Sequence, residues 1–350
     1  MEHLTRIGKY ELEQFLGGGM AHVYRAKDSV LGRLVAVKVL TDSGMADPET
    51  KARFLQEARM ASNIQHENII SVYDFGEDQG RPYMVMEFLD GESLRDALKN
   101  DHMGDFANRM RIVLQAGRAL DYIHTKKIIH RDIKPENINL DSSGKVKLMD
   151  FGIAKREGVQ LTRAGFTLGT PYYMAPEQVL GRPLTPQADV YAYGILVFEL
   201  LTGAKPVMGD SIERIFQLIL YEPLNLEPLK ALNVPPALLG VVERCTAKQP
   251  EKRPPSVGAV CDEIEGILNA PSTTPAPAPA IAAPPRPSPP APPVIKPRPA
   301  GPATVDGLPK FFDALPAALR TQVGLMVLAG AGVVVLMLLL YGILKLAHAL

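Results

Sequence analysis

Cysteine is nearly absent from this 350-residue chain. Cys245 and Cys261 are the only two, they form no CxxC, and no paired histidines lie near them. Disulfide scaffolds and cysteine-based zinc modules are thereby excluded, and two buried, reduced thiols are expected. An excess of charge of either sign is also missing, since Lys plus Arg and Asp plus Glu each number 38. Without a net basic field the chain has no general means of holding nucleic acid, which is set aside as a partner. The N-terminal stretch MEHLTRIGKYELEQF lacks the apolar run of a secretory signal, so the residues before the C-terminal region are expected to stay on the side where they are synthesised.

Proline is ordinary in one part of the chain and crowded in another: 15 of the 31 fall in residues 1–270 and 16 in the last 80. From Pro271 the sequence is mostly Pro, Ala, Ser and Thr with no periodic apolar face. Residues 271–309 are therefore expected to form an extended, disordered linker, because such a composition cannot offset its ordering entropy. A juxtamembrane segment, 310–322, leads into residues 323–344, which carry no charge. As a helix that run spans about 33 Å, against a hydrocarbon core of about 30 Å. One transmembrane helix in a lipid bilayer is expected there, with 345–350 as a short tail. Lys310 and Arg320 precede the run and only Lys345 follows it, which orients a single-pass protein of the cytoplasmic membrane with its N-terminal part in the cytoplasm. The small residues Ala329 to Gly332 leave open a dimer formed through the span.

Within the first 270 residues, alternating apolar patterns predict strands at 10–16, 23–27, 34–40, 69–75 and 82–87, interrupted by a helix over 48–62. After Gly91 the period lengthens, with Met110, Val113, Leu114, Gly117 and Leu120 on one helical face. A small β-rich lobe is thus expected before a larger helical one, an α+β arrangement.

Several residues in this region carry chemistry. Leu16, Gly17, Gly18 and Gly19 lead into Val23 across a hairpin, and glycines there let backbone N–H groups approach an anion, although a glycine-rich hairpin is more often only a turn. Lys38, in Val-Ala-Val-Lys, sits amid apolar neighbours and needs an anionic partner if it points inward. Glu57 on the predicted helix is a candidate, or else a surface glutamate. Asp132, Lys134 and Asn137 fall in HRDIKPEN, and Asp150 opens DFG thirteen residues later. An Asn and two Asp on neighbouring loops suit a hard divalent cation that wants oxygen ligands, with one carboxylate left to accept a proton.

Taken in order, the glycine hairpin, VAVK, Glu57, HRD with its Lys and Asn, DFG and Ala175-Pro176-Glu177 resemble the motifs of the bacterial eukaryotic-like, or Hanks-type, Ser/Thr protein kinases, over residues 10–267. The resemblance implies a bilobal protein-kinase fold with ATP between the lobes and protein substrates, the chain itself in trans among them. It implies that Lys38 holds phosphates and pairs with Glu57, that Asn137 and Asp150 bind Mg²⁺ or, as an alternative, Mn²⁺, and that Asp132 receives the substrate proton while Lys134 neutralises the moving phosphoryl group. Met86, the backbone of Glu87 and Leu89, and the side chains of Val23 and Ala36 would meet the adenine. Glu177 should pair with Arg253, and Asp189 should brace the catalytic loop. Thr162 and Thr167 would take an activating phosphate that pairs with Arg131. Two positions depart from the family pattern: the glycine loop is one residue short, and Asn139 stands where an apolar residue usually lies under the base. The alternative reading, a membrane-anchored pseudokinase scaffold, is opposed by the presence of Lys38, Glu57, Asp132, Asn137 and Asp150 together.

Overall fold

The computed structural model describes residues 4–150, 171–232 and 234–270. The expected linker, juxtamembrane segment, span and tail, together with Thr162 and Thr167, lie outside the described residues.

Strands β1 (Arg6–Ile7), β2 (Tyr10–Gly18), β3 (Ala21–Asp28), β4 (Leu34–Leu40), β5 (Val72–Asp78) and β6 (Arg81–Glu87) form one antiparallel sheet in the order β1-β2-β3-β4-β6-β5. Helices α1 (Asp42–Ala46) and α2 (Pro48–Ala61) fill the connection between β4 and β5. The two-residue period of β4 sends Val35, Val37 and Val39 to one face, where they pack with Tyr10, Ala26 and Val85. Ala36 and Leu40 go to the other face and meet Phe54 and Ala58 of α2. Lys38 shares their parity and so faces α2 as well.

Helix α2 starts where Asp47 accepts a hydrogen bond from the Glu49 amide, with Pro48 in the first turn. Its buried residues, Phe54, Glu57, Ala58 and Ala61, recur at helical spacing, which turns Glu57 toward the sheet. Sequence periodicity therefore places Lys38 on the sheet face toward α2 and Glu57 on the helix face toward the sheet.

The second lobe comprises α3 (Leu94–Lys99), α4 (Phe106–Thr125), α5 (Pro176–Val179), α6 (Gln187–Thr202), α7 (Ile212–Tyr221), α8 (Glu227–Ala231), α9 (Pro236–Cys245) and α10 (Val257–Asn269). Every residue of α6 from Ala188 to Leu201 is buried, which makes it the axis of the helical core. Helix α4 approaches α6 and α10 so closely at Gly117 that a Cβ there would lie 2.3 Å from Cys261 Sγ and 2.5 Å from the Tyr193 hydroxyl. Both cysteines are buried and form no disulfide, as expected.

The strand predicted over 69–75 begins instead at Val72. Ile69 and Ile70 are drawn under the sheet, where Ile69 bridges to Leu148 and the Ile70 amide donates to the Leu148 carbonyl at 3.0 Å. Burial against the helical lobe outweighs continuation of the ladder. A three-stranded sheet of β7 (Glu92–Ser93), β8 (Ile138–Leu140) and β9 (Val146–Leu148) also appears where only helices were expected. The architecture is the bilobal one, a curled sheet followed by a helical lobe.

Candidate active site

A cavity of about 210 Å³ opens between the sheet and β8–β9. Apolar walls come from Leu16, Val23, Ala36, Met84, Met86, Leu89 and Met149, and polar groups from Lys38, Glu57, Glu87, Asn139 and Asp150. All the proposed adenine contacts thus lie on one cavity. Gly17, Gly18 and Gly19 are not part of its lining. Instead the hairpin carries Gly17 and Gly18 at φ of +142° and +130°, and a Cβ on Gly18 would sit 2.0 Å from the Ala21 carbonyl, so glycine is required there by the turn itself. The β2–β3 pairing slips between Phe15 and Gly17, and only Gly19 and Met20 lie between the two strands.

At the inner end of the cavity, Lys38 Nζ lies 2.9 Å from Glu57 Oε1 and 3.0 Å from Asp150 Oδ1. Burial works to strip Lys38 of its proton, but Asp150 and then Glu57 overcome it and hold the ammonium above the ordinary lysine range. Lys38 in turn keeps the Asp150 carboxyl below its ordinary value, while burial pushes Glu57 upward against the pull of Lys38. The result is a fixed cation with one carboxylate on either side. Asp150 adopts φ of +50°, a left-handed conformation in a non-glycine residue, which marks the strain often found at functional positions.

The catalytic loop is built on the helical lobe. Asp132 accepts from Asn137 Nδ2 at 3.0 Å and pairs with Lys134 Nζ at 3.0 Å. Asn137 also donates to the Asp132 carbonyl at 2.8 Å, and its own carbonyl receives the Met149 amide at 2.9 Å, one residue before Asp150. From below, buried Asp189 accepts the amides of His130 at 2.7 Å and Arg131 at 2.9 Å, and His124 Nε2 lies 2.8 Å from it. Those amides are available because Arg131 takes φ of +67°. Burial pushes the His130 imidazole below its ordinary range, and its Nε2 lies 3.1 Å from the Met149 carbonyl. Arg253 grips Glu177 through two parallel bonds, at 2.6 and 2.9 Å, in a buried pair. Arg131 itself is half-buried.

Asn139 lies on the cavity floor, 9% exposed, and its Oδ1 has no hydrogen-bond partner among the described residues. Sequence reasoning missed one ion pair and one polar cluster. Lys147 Nζ meets Glu87 Oε2 at 2.9 Å beside the cavity. Arg95 on α3 joins Glu136, Glu199 and Tyr173 into one cluster next to the catalytic loop. Neither pair shares an element, so no spacing in the sequence points to them.

A cleft above a carboxylate-bearing loop, roofed by a curled sheet and floored by a helical lobe, is the protein-kinase architecture. The family model for the protein kinase domain matches residues 10–264, and the chain belongs to that family. It is 37% identical over 286 residues to the serine/threonine-protein kinase PknA of Mycobacterium tuberculosis, covering 78% of this chain and 66% of that protein. It is 40% identical over 262 residues to a probable serine/threonine-protein kinase PknB of Lactococcus lactis, covering 71% of this chain and 41% of that one. The matched region thus spans between about two fifths and two thirds of these curated relatives. Among solved structures, the PknI kinase domain of Mycobacterium tuberculosis superposes with a TM-score of 0.57 at 27% identity, over 75% of this chain and 96% of that one. A Rad53 fragment in complex with AMP-PNP does so with a TM-score of 0.61 at 25% identity, over 73% and 64%. No helix among the described residues is long and apolar enough to cross a membrane.

Proposed function

We propose that this chain is a serine/threonine protein kinase that transfers the γ-phosphate of ATP to protein hydroxyls. The observation that carries the reading is one continuous run of contacts, from Glu57 through Lys38 to Asp150, and from Met149 through Asn137 to Asp132 and Lys134. It joins the inner end of an apolar cavity to a carboxylate held in place. In this reading the substrate oxygen bonds to the γ-phosphorus as the bond to the β-bridging oxygen breaks. Asp132 takes the hydroxyl proton, Lys134 offsets the charge of the moving group, and Lys38 holds the α- and β-phosphates.

Asn137 and Asp150 would hold Mg²⁺, with Mn²⁺ as an alternative. The donor set fits a hard cation: Asn137 commits its amide nitrogen to Asp132, which leaves the amide oxygen, and Asp150 adds a carboxylate kept ionised by Lys38. No group of three or more His, Cys, Asp or Glu suited to a metal occurs among the described residues, so such a cation would draw its other ligands from phosphates and water. When bound it would neutralise phosphate charge.

Activation through phosphate on Thr162 or Thr167, action on itself in trans, and a bilayer anchor at 323–344 belong to the same proposal. The anchor rests on the uncharged run in the sequence. The test is phosphotransfer by the full chain in detergent, compared with Asp132→Asn and Asp150→Ala. Loss of a positioned base should lower turnover about 10²- to 10⁴-fold. Equal turnover in all three proteins would sink the reading.

A further inference from the structure

The tip of the glycine hairpin does not hang free over the cavity. The β3–β4 ladder pairs Ala21 with Leu40, and one step further the Thr41 amide donates to the Met20 carbonyl at 3.0 Å. Thr41 Oγ1 donates to that same carbonyl at 2.8 Å. The same hydroxyl oxygen accepts the Gly44 amide at 3.2 Å and so caps α1, and Ser43 Oγ stands 2.9 Å away as a second donor to it. One hydroxyl therefore welds the last residue of the hairpin turn to the first turn of the following helix.

Gly44 supplies an independent sign that the contact is close. It is buried, and a Cβ at this position would lie 2.4 Å from the Met20 carbonyl oxygen and 2.8 Å from Leu40 Cδ1. The nearer atom is backbone, so alanine there would displace the hairpin tip or the helix. Helix α1 has room for the tip only because position 44 lacks a side chain.

We propose that α1 is a latch for the glycine hairpin, and that Thr41 is a positioning residue that sets how closely the hairpin covers the nucleotide phosphates. The inference rests on the phosphotransfer reading for what the hairpin covers, but the latch itself is a matter of geometry. The hairpin needs one. Its turn has only two residues, and Phe15, Leu16 and Met20 are exposed, so little apolar burial holds the tip down.

The test uses the full chain in detergent with Thr41→Val, Thr41→Ser, Gly44→Ala and, as a control, Ser43→Ala. Two quantities are measured: amide hydrogen exchange over residues 17–22, and KM for ATP alongside kcat. Loss of one hydrogen bond of ordinary strength in Thr41→Val should speed exchange and raise KM for ATP by about three- to tenfold, with kcat changed less than about twofold. Thr41→Ser should restore both values, Gly44→Ala should match or exceed the Thr41→Val effect, and Ser43→Ala should resemble the unsubstituted chain. Unchanged exchange and KM in Thr41→Val would overturn the latch. So would a fall of kcat in proportion to the folded fraction with KM intact, because that pattern belongs to a helix cap alone. If the unsubstituted chain binds no ATP, the phosphotransfer reading falls, and the exchange rates still decide whether α1 holds the hairpin.

Discussion

In the first lobe the sheet divides its apolar residues into two small clusters, one on each face, whereas the helical lobe gathers most of its own into one large cluster running from Ala61 to Ile264, with a small satellite of Val207, Ile215 and Ile219 beside it. The hairpin edge of the sheet is partly wetted, with Phe15, Leu16 and Met20 exposed. Groups on the catalytic loop are held by Asp189 of α6, a helix buried from Ala188 to Leu201. Stability and ligand response are therefore expected to separate between the lobes, since a large core resists local opening while a thin two-sided sheet can shift.

The sharpest break of that separation is Arg253→Ala. It leaves the Glu177 carboxylate buried without its partner, which typically costs about 3–5 kcal/mol. Urea unfolding of the variant should show the loss. A change below about 1 kcal/mol would mean that the pair is not what ties α5 to the helical core.

Next come two phenylalanines of equal size. Phe198→Ala, in α6, should cost about 3–5 kcal/mol of global stability. Phe54→Ala, one helical turn before Glu57 in the smaller cluster, should cost less in urea yet raise KM for ATP, because it loosens the helix that aims Glu57 at Lys38. If the two variants show the same split between stability and KM, the contrast between the lobes is not functional.

Asn139→Leu sharpens the comparison at the boundary between them. An amide oxygen without a partner in an apolar cavity carries a penalty of about 1–3 kcal/mol, which leucine removes. ATP affinity should rise several-fold with kcat little changed, as read by equilibrium binding. Weaker binding would instead show that the amide serves the ligand.

A further effect concerns alkaline pH. Burial pushes the Cys245 thiol up to about 12 and Cys261 up to about 11. Folded-state values raised in this way give stability that is complete below the ordinary thiol range and is lost as pH climbs through it. Each thiol should cost up to about 1.4 kcal/mol per pH unit between about pH 9 and its folded value. The urea midpoint should therefore fall from pH 9 to pH 11, and less steeply in a Cys245→Ala, Cys261→Ala variant. At pH 8 a thiol reagent should label neither cysteine until the chain is unfolded.

Much of this was legible along the chain because the relevant spacings are local. The parity of β4 and the helical spacing of Phe54, Glu57 and Ala58 already turn Lys38 and Glu57 toward each other, and HRDIKPEN and DFG carry their acids and amide within short loops. The Glu177–Arg253 pair was anticipated only through the family resemblance, since 76 residues separate its members. The start of β5 was misjudged because Ile69 and Ile70 read as strand residues, while the neighbour that captures them, Leu148, lies far along the sequence.

Composition, periodicity and short motifs by themselves determined the two-lobe order, the chemistry of the acidic loop and the uncharged run at 323–344, because each is a property of contiguous residues. Only the tertiary structure decided that Arg95 reaches Glu136 and Glu199, that Lys147 meets Glu87, that the Asn139 oxygen lacks a partner among the described residues and that Thr41 grips the Met20 carbonyl. Those contacts join elements whose separation is set by packing. A hydrogen bond that forms within about 3 Å depends on angles and offsets between elements that no one-dimensional pattern encodes.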